Sequence, residues 1–234
     1  MVGQWERCIA LSTDEPYIWL FSDDDLMDNN CVESFYNHVD DLKEDSLIHF
    51  NIRRINSYNS GKTITELSKY PPFMTAEDFL IAKSKGKVVS YVVEFIFSRV
   101  LYENTGGFVK FDLAWGSDYM TWLKFAIHSS KGIVTIDDAK VNWRNSDYNI
   151  SPNKSHSILL RKLNALIENA VYIKYLMNRY PESFIRTRNK FRYLRFPLGE
   201  IYKNQKNIRI IDCIKLVSRY ISHIWIKNRK YFYN

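Results

Sequence analysis

Cysteine is scarce in this chain: there are three, Cys8, Cys31 and Cys213, far apart and without a CxxC pair. They support neither a disulfide framework nor a zinc site, and a reducing cytoplasm is the simplest inference. The opening stretch MVGQWERCIALSTDEPY lacks the apolar core of a signal peptide. No window approaches the ~18 uninterrupted apolar residues of a membrane-spanning helix. Internal repeats and low-complexity tracts are also absent, which removes solenoid and linker architectures.

What is present is a composition compatible with folding. With 46% hydrophobic and 25% charged residues, wholesale disorder is not expected. Aromatic residues reach 15%, which suits a site built on ring stacking and equally reflects a Tyr-rich composition bias. Charge is divided along the chain. From Arg161 onward 17 Lys and Arg face four acidic residues, so the net charge of +7 splits into −6 before that point and +13 after it. An acidic front can hold a cation, and a basic rear can meet the phosphates of a nucleic acid or of a membrane.

Residues 3–12 place Trp5, Cys8, Ile9 and Leu11 at helical spacing. The run Tyr17-Ile-Trp-Leu-Phe21 reads as a buried strand and stops abruptly at Ser22-Asp23-Asp24-Asp25. A helix is expected over 30–42 and an alternating strand over 46–55. After a polar loop around Asn59-Ser60-Gly61, Thr75 and an acidic first turn open a helix over 75–84. The run 88–97 is apolar and β-branched, and Thr105-Gly106-Gly107-Phe108 is a turn. A helix over 118–126 and short strands at 132–136 and 140–143 complete this part. From about Ser155 only helical patterns follow, over 158–177 and 208–226, separated by a break at Phe196-Pro197. The order predicts a mixed α/β domain over 1–154 and a basic helical region over 155–234.

Three adjacent carboxylates repel one another and raise each other's pKa. A divalent cation would neutralise them. Mg²⁺ or Mn²⁺ takes hard oxygen ligands and completes its shell with substrate phosphates. The end of a strand is also where α/β sheets commonly bind ligands. An exposed turn with an Asp capping the next helix explains the same residues without a ligand.

The stretch Tyr17-Ile-Trp-Leu-Phe-Ser-Asp-Asp-Asp-Leu26 resembles the central segment of family 2 glycosyltransferases. These are GT-A-type enzymes with a mixed sheet and flanking helices, in which a strand delivers an aspartate motif to a nucleotide diphosphate and its metal. The Trp-bearing form ending in Ser-Asp-Asp-Asp is similar to the abequosyltransferase-like enzymes of O-antigen and capsule synthesis. The resemblance implies that Asp23 and Asp24 face the donor and that Asp24 and Asp25 hold Mg²⁺ or Mn²⁺. A register shifted by one makes Asp23 and Asp25 the pair.

The family's second landmark is a Gly-Gly-Phe turn, a variable loop and an acidic residue opening a helix. Here Thr105-Gly-Gly-Phe108 leads through 109–114 to Trp115-Gly-Ser-Asp118, and Asp118 occupies the place of the catalytic base. In an inverting transfer the acceptor hydroxyl loses its proton as it attacks, and one carboxylate within reach can take it. The departing diphosphate needs charge stabilisation, which a metal supplies. The alternative is that Asp118 merely caps its helix. A third match, Asn142-Trp-Arg-Asn-Ser-Asp-Tyr-Asn-Ile-Ser151, implies that Arg144 pairs with the diphosphate; read alone, it is a strand end running into a polar loop. The resemblance covers about residues 5–154. Family members open with a strand-turn-helix unit that holds the nucleoside, and only 22 residues precede Asp23 here. The expectation is therefore an N-terminally truncated GT-A domain of poor or no activity.

The expected function is transfer of a sugar from a nucleotide-diphosphate donor to a glycan or lipid-linked acceptor in surface polysaccharide synthesis. In the rear, Ile210, Cys213, Ile214, Val217, Tyr220, Ile221 and Ile224 recur at 3–4 spacing among basic residues. Such a helix can lie in a membrane interface, giving a cytoplasmic enzyme peripheral contact with the inner face of the cell membrane through 208–230. It can equally pack on the catalytic domain. Competing readings are a noncatalytic remnant, metal-dependent phosphoryl transfer, and nucleic-acid or phosphate binding through the basic helices. The acidic front and the lack of a nucleic-acid motif argue against the last, and no nucleic-acid partner is expected.

Overall fold

The computed structural model describes residues 1–56, 64–145, 153–188 and 190–226. The loop around Asn59-Ser60-Gly61, the 146–151 part of the segment after Trp143, and the basic end over 227–234 lie outside the described residues. In chain order the elements are α1 (Val2–Ala10), β1 (Tyr17–Trp19), β2 (Leu26–Met27), α2 (Cys31–His38), β3 (Leu47–Asn56), β4 (Ile64–Ser68), β5 (Phe73–Met74) and α3 (Ala76–Ser84). There follow β6 (Phe95–Ser98), α4 (Arg99–Asn104), α5 (Ser117–His128), β7 (Ile133–Asn145), α6 (His156–Arg179), α7 (Phe196–Asn204) and α8 (Ile210–Ile221), the last continued by a π-helical turn (Ser222–Ile226).

The seven strands form one mixed sheet in the order β1-β6-β3-β7-β2, with β4 bonded to β3 and β5 to β7. The β3–β7 pair is parallel and the other pairs are antiparallel. Central β3 is buried from Leu47 to Ile52 because both faces of the sheet are covered. Alternation along the strand divides the core in two. Leu47 faces the cluster built with α3, α5 and α6, while Ile48, Phe50 and Ile52 face the one that includes Cys31 and Phe35 of α2.

Several expectations change in detail. The two short strands at 132–136 and 140–143 are one element, β7. Its pairing with β3 jumps from Phe50↔Ile136 to Asn51↔Lys140, so a bulge absorbs the polar Asp137 and Asp138 without ending the strand. The break expected at Phe196-Pro197 is instead the start of α7, where a proline's missing N–H costs nothing. Only the end of the 88–97 run is strand, and the rest is an irregular segment that lines a cavity. Thr75 does cap α3 as expected, its hydroxyl accepting from the Asp78 N–H at 3.1 Å.

The C-terminal helices pack on the sheet domain. Buried Glu77 of α3 accepts from the Arg186 and Thr187 backbone N–H groups (2.6 and 2.8 Å), and from Arg186 Nε (2.8 Å) and the Thr187 hydroxyl (3.0 Å). Arg161 of α6 clasps Asp112 at 2.6 and 2.8 Å, beside the segment leading to α5. No helix among the described residues is long and apolar enough to cross a membrane.

Candidate active site

The acidic segment connects β1 to β2, and the neighbouring strand β7 fixes its shape. The Arg144 backbone N–H donates to Asp25 Oδ1 at 2.7 Å, and Arg144 Nε donates to the Asp24 carbonyl at 2.7 Å. Just past β2, Asp28 accepts from the Lys140 N–H (3.1 Å), Asn142 Nδ2 (3.2 Å) and Arg53 Nη1 (3.1 Å). The three aspartates are thereby separated in role. Asp23 is exposed, Asp24 is half-buried with its carbonyl engaged, and Asp25 is buried at 8% exposure. Burial pushes the Asp25 carboxyl up to about 6 against the pull of the Arg144 N–H; neighbouring Asp24 adds to the rise, while the Ser22 hydroxyl lowers it.

A cavity of about 920 Å³ opens beside this segment, and its walls include Asp23, Asp25 and Asp118. Two carboxylates from the strand end and one from the start of α5, distant in sequence, thus share one space. Asp24 and Arg144 are not among its lining residues, whereas Trp143 is. Arg144 is engaged with the acidic segment through its backbone N–H and its Nε. Trp143 stacks on Tyr91 with ring centroids 4.7 Å apart and planes 8° apart, forming a flat apolar wall. Tyr91 is pinned from both sides: its N–H donates to buried Glu94 at 2.7 Å, and its carbonyl accepts from the Trp122 indole at 3.2 Å.

Asp118 lies in the first turn of α5, whose N-cap position is Gly116. Its Oδ1 accepts from the Tyr119 N–H at 2.7 Å, so part of the carboxylate does terminate the helix. The side chain is surrounded by protein, and the surface it keeps faces the cavity. Burial pushes its carboxyl up to about 6, a rise opposed chiefly by the Lys83 ammonium and aided by Glu94. A carboxylate poised there can accept a proton near neutral pH more readily than a solvated aspartate.

The sequence reading missed Lys83. It stands on α3, lines the cavity, donates to Ser90 Oγ at 2.8 Å and lies 5.4 Å from the Tyr119 ring centre. Burial lowers its pKa, with Asp118 and Glu94 pulling the other way. The available signal was its position four residues after Phe79 and three after Leu80, on the inward face of the helix.

No group of three or more His, Cys, Asp and Glu side chains among the described residues forms a protein-only metal cage. Mg²⁺ and Mn²⁺ do not require one, since one or two carboxylates and substrate oxygens suffice. Exposed Asp23 and desolvated Asp25 on one cavity wall are compatible with that donor set.

No family model matches the chain, and no curated protein matches its sequence. The fold does have a solved counterpart. It is similar to residues 1–349 of the glycosyltransferase TarS from S. aureus in complex with UDP-GlcNAc, with a TM-score of 0.51 at 10% identity. The match covers 91% of this chain and spans 58% of that one. The mixed sheet with flanking helices is thus a glycosyltransferase-like fold.

Proposed function

We propose that the protein is an inverting glycosyltransferase, moving a sugar from a nucleotide-diphosphate donor to a glycan or lipid-linked acceptor in surface polysaccharide synthesis. The observation that carries this is the meeting of Asp23, Asp25 and Asp118 in one cavity of a glycosyltransferase-like fold. Kinship with family 2, and with its abequosyltransferase-like branch, rests on the quoted motifs. TarS is solved with UDP-GlcNAc, which makes uridine diphosphate sugars the first donors to test. Residues 1–154 would be the catalytic part, and 155–234 a helical region that closes the cavity's far side through Asn169, Arg192 and Tyr193.

Asp118 accepts the acceptor hydroxyl's proton, and its buried setting keeps it basic enough to do so. Asp23 and Asp25, rather than Asp24, face the donor diphosphate and would hold Mg²⁺ or Mn²⁺. When bound, that cation supplies charge stabilisation to the leaving group. Lys83 adds a second positive charge to the same space and favours the anionic form of Asp118 against the effect of burial. The Trp143–Tyr91 wall offers a stacking surface to a sugar or base.

The test is release of nucleoside diphosphate from a panel of nucleotide sugars in Mn²⁺, with Asp25→Asn as the comparison. Against the sequence expectation of poor or no activity, the three carboxylates share one cavity, and the expected outcome is release from at least one donor, reduced by about 10–100-fold or more in the variant. Release that is equal in both proteins, or absent with every donor, contradicts the proposal.

A further inference from the structure

The apolar pattern of α8 is two stripes, not one. Leu216, Tyr220 and Ile224 point inward and are buried with α6 and α7, the Tyr220 hydroxyl reaching the Leu194 carbonyl at 3.2 Å. On the opposite side Ile210, Ile211, Ile214, Ile221 and Trp225 form a second stripe, between 44% and 79% exposed. Packing against the domain therefore accounts for half of the helix's hydrophobicity and leaves the other half in solvent. A row of four isoleucines and a tryptophan is more than scattered surface apolarity.

Charge decides what covers it. The segment from Phe196 to the C-terminus carries eight Lys and Arg against two acidic residues. Arg209, Arg219 and Lys203 are neutralised by Asp212, Glu168 and Glu200. Lys206, four residues before Ile210, and Lys215, next to Ile214 in α8, are exposed and make no ion pair among the described residues, and the sequence continues with Lys227, Arg229 and Lys230. A second copy of the chain would bring two strongly cationic regions together. Four of the five stripe residues are isoleucines, which offer bases nothing to stack on, and a single tryptophan makes no stacking platform for successive bases, which disfavours a nucleic acid. An apolar stripe with a tryptophan, flanked by unneutralised lysines, matches the boundary between anionic headgroups and acyl chains.

We infer that the outward stripe of α8 and the turn after it docks the protein on an anionic lipid surface. Trp225 packs against Phe191 at 5.2 Å, and Phe191 adjoins Arg192, which lines the cavity. The docked face thus lies beside the cavity's C-terminal wall. On the glycosyl-transfer reading, that position brings a membrane-borne acceptor to the site; the docking itself does not depend on that reading.

Flotation tests it without any activity measurement. The full chain is mixed at low salt with vesicles of equal parts phosphatidylcholine and phosphatidylglycerol, or of phosphatidylcholine alone. The wild type is expected to float with the anionic vesicles, and much less with the neutral ones or at high salt. Ile214→Glu with Trp225→Ala should weaken partitioning by about tenfold or more, with the circular dichroism spectrum unchanged because both sites are exposed. Lys206→Glu with Lys215→Glu should weaken it on anionic vesicles only. The proposal is overturned if the wild type stays in the aqueous fraction at low salt, or if the apolar variant floats like the wild type. It is equally overturned if the wild type is a dimer that the apolar variant converts to monomer, since a second copy would then cover the stripe.

Discussion

Asp118→Asn is expected to lower the rate of sugar transfer by about 10²–10⁴-fold, the usual contribution of a positioned general base, while leaving the protein as stable or more so. The two halves of this expectation have one cause. The Asp118 carboxyl is pushed up to about 6 by burial, so in the pH range between its unfolded pKa near 4 and that value the native state holds a proton the unfolded chain has released. Stability from this group therefore falls as pH rises through that window, and at pH 7 the ionised carboxylate costs on the order of 2–3 kcal/mol. Asparagine keeps the shape and removes the charge, so melting temperature at pH 7 should hold or rise. The wild-type rate should fall below about pH 6, as the base becomes protonated. A variant that transfers sugar at the wild-type rate would remove Asp118 from the mechanism. One that is markedly less stable at pH 7 would return it to the role of a helix cap.

Gly116→Ala is the second large effect. Gly116 has φ of +82°, where a side chain is strained, and a Cβ there would stand 2.0 Å from Asn169 Oδ1. Asn169 cannot move aside cheaply, because its Nδ2 donates to the Trp115 carbonyl (3.1 Å) and to the Ala165 carbonyl (2.6 Å). Backbone strain and overpacking together should cost about 2–4 kcal/mol, or about 5–15 °C in melting temperature. Asp118 follows two residues later, so transfer should fall as well. Gly106→Ala separates the two causes: its φ is +74° but nothing lies within 4 Å of the added carbon, so only the backbone cost of about 1–2 kcal/mol applies. Equal losses in the two variants would show that contact with α6 does not seat the start of α5.

Much of this was legible in the sequence where the signal is local. The run before Ser22 read as a strand, and Thr75 announced α3 because a cap and an acidic first turn lie within four residues. Gly106 and Gly107 read as a turn and both have positive φ. What depends on distant pairing was not legible. Whether Asp24 or its neighbours face the cavity is set by the Arg144 N–H bonding Asp25 across 119 positions of sequence, and no local pattern encodes that. Lys83, Tyr91 and Glu94 come to the site through α3 and an irregular segment whose apolar composition resembled a strand. Helical spacing in the rear blended two stripes into one, because inward and outward residues of α8 are both mainly aliphatic.

The most direct test of the account is calorimetric titration of a nucleoside diphosphate into the protein, with and without Mn²⁺, for the wild type and for Asp23→Asn with Asp25→Asn. If those two carboxylates form the donor wall of the cavity, binding requires the cation, and the double variant loses about 10–100-fold in affinity or more. Binding that is indifferent to Mn²⁺ and undiminished in the double variant would contradict the assignment of this cavity to a nucleotide-sugar donor.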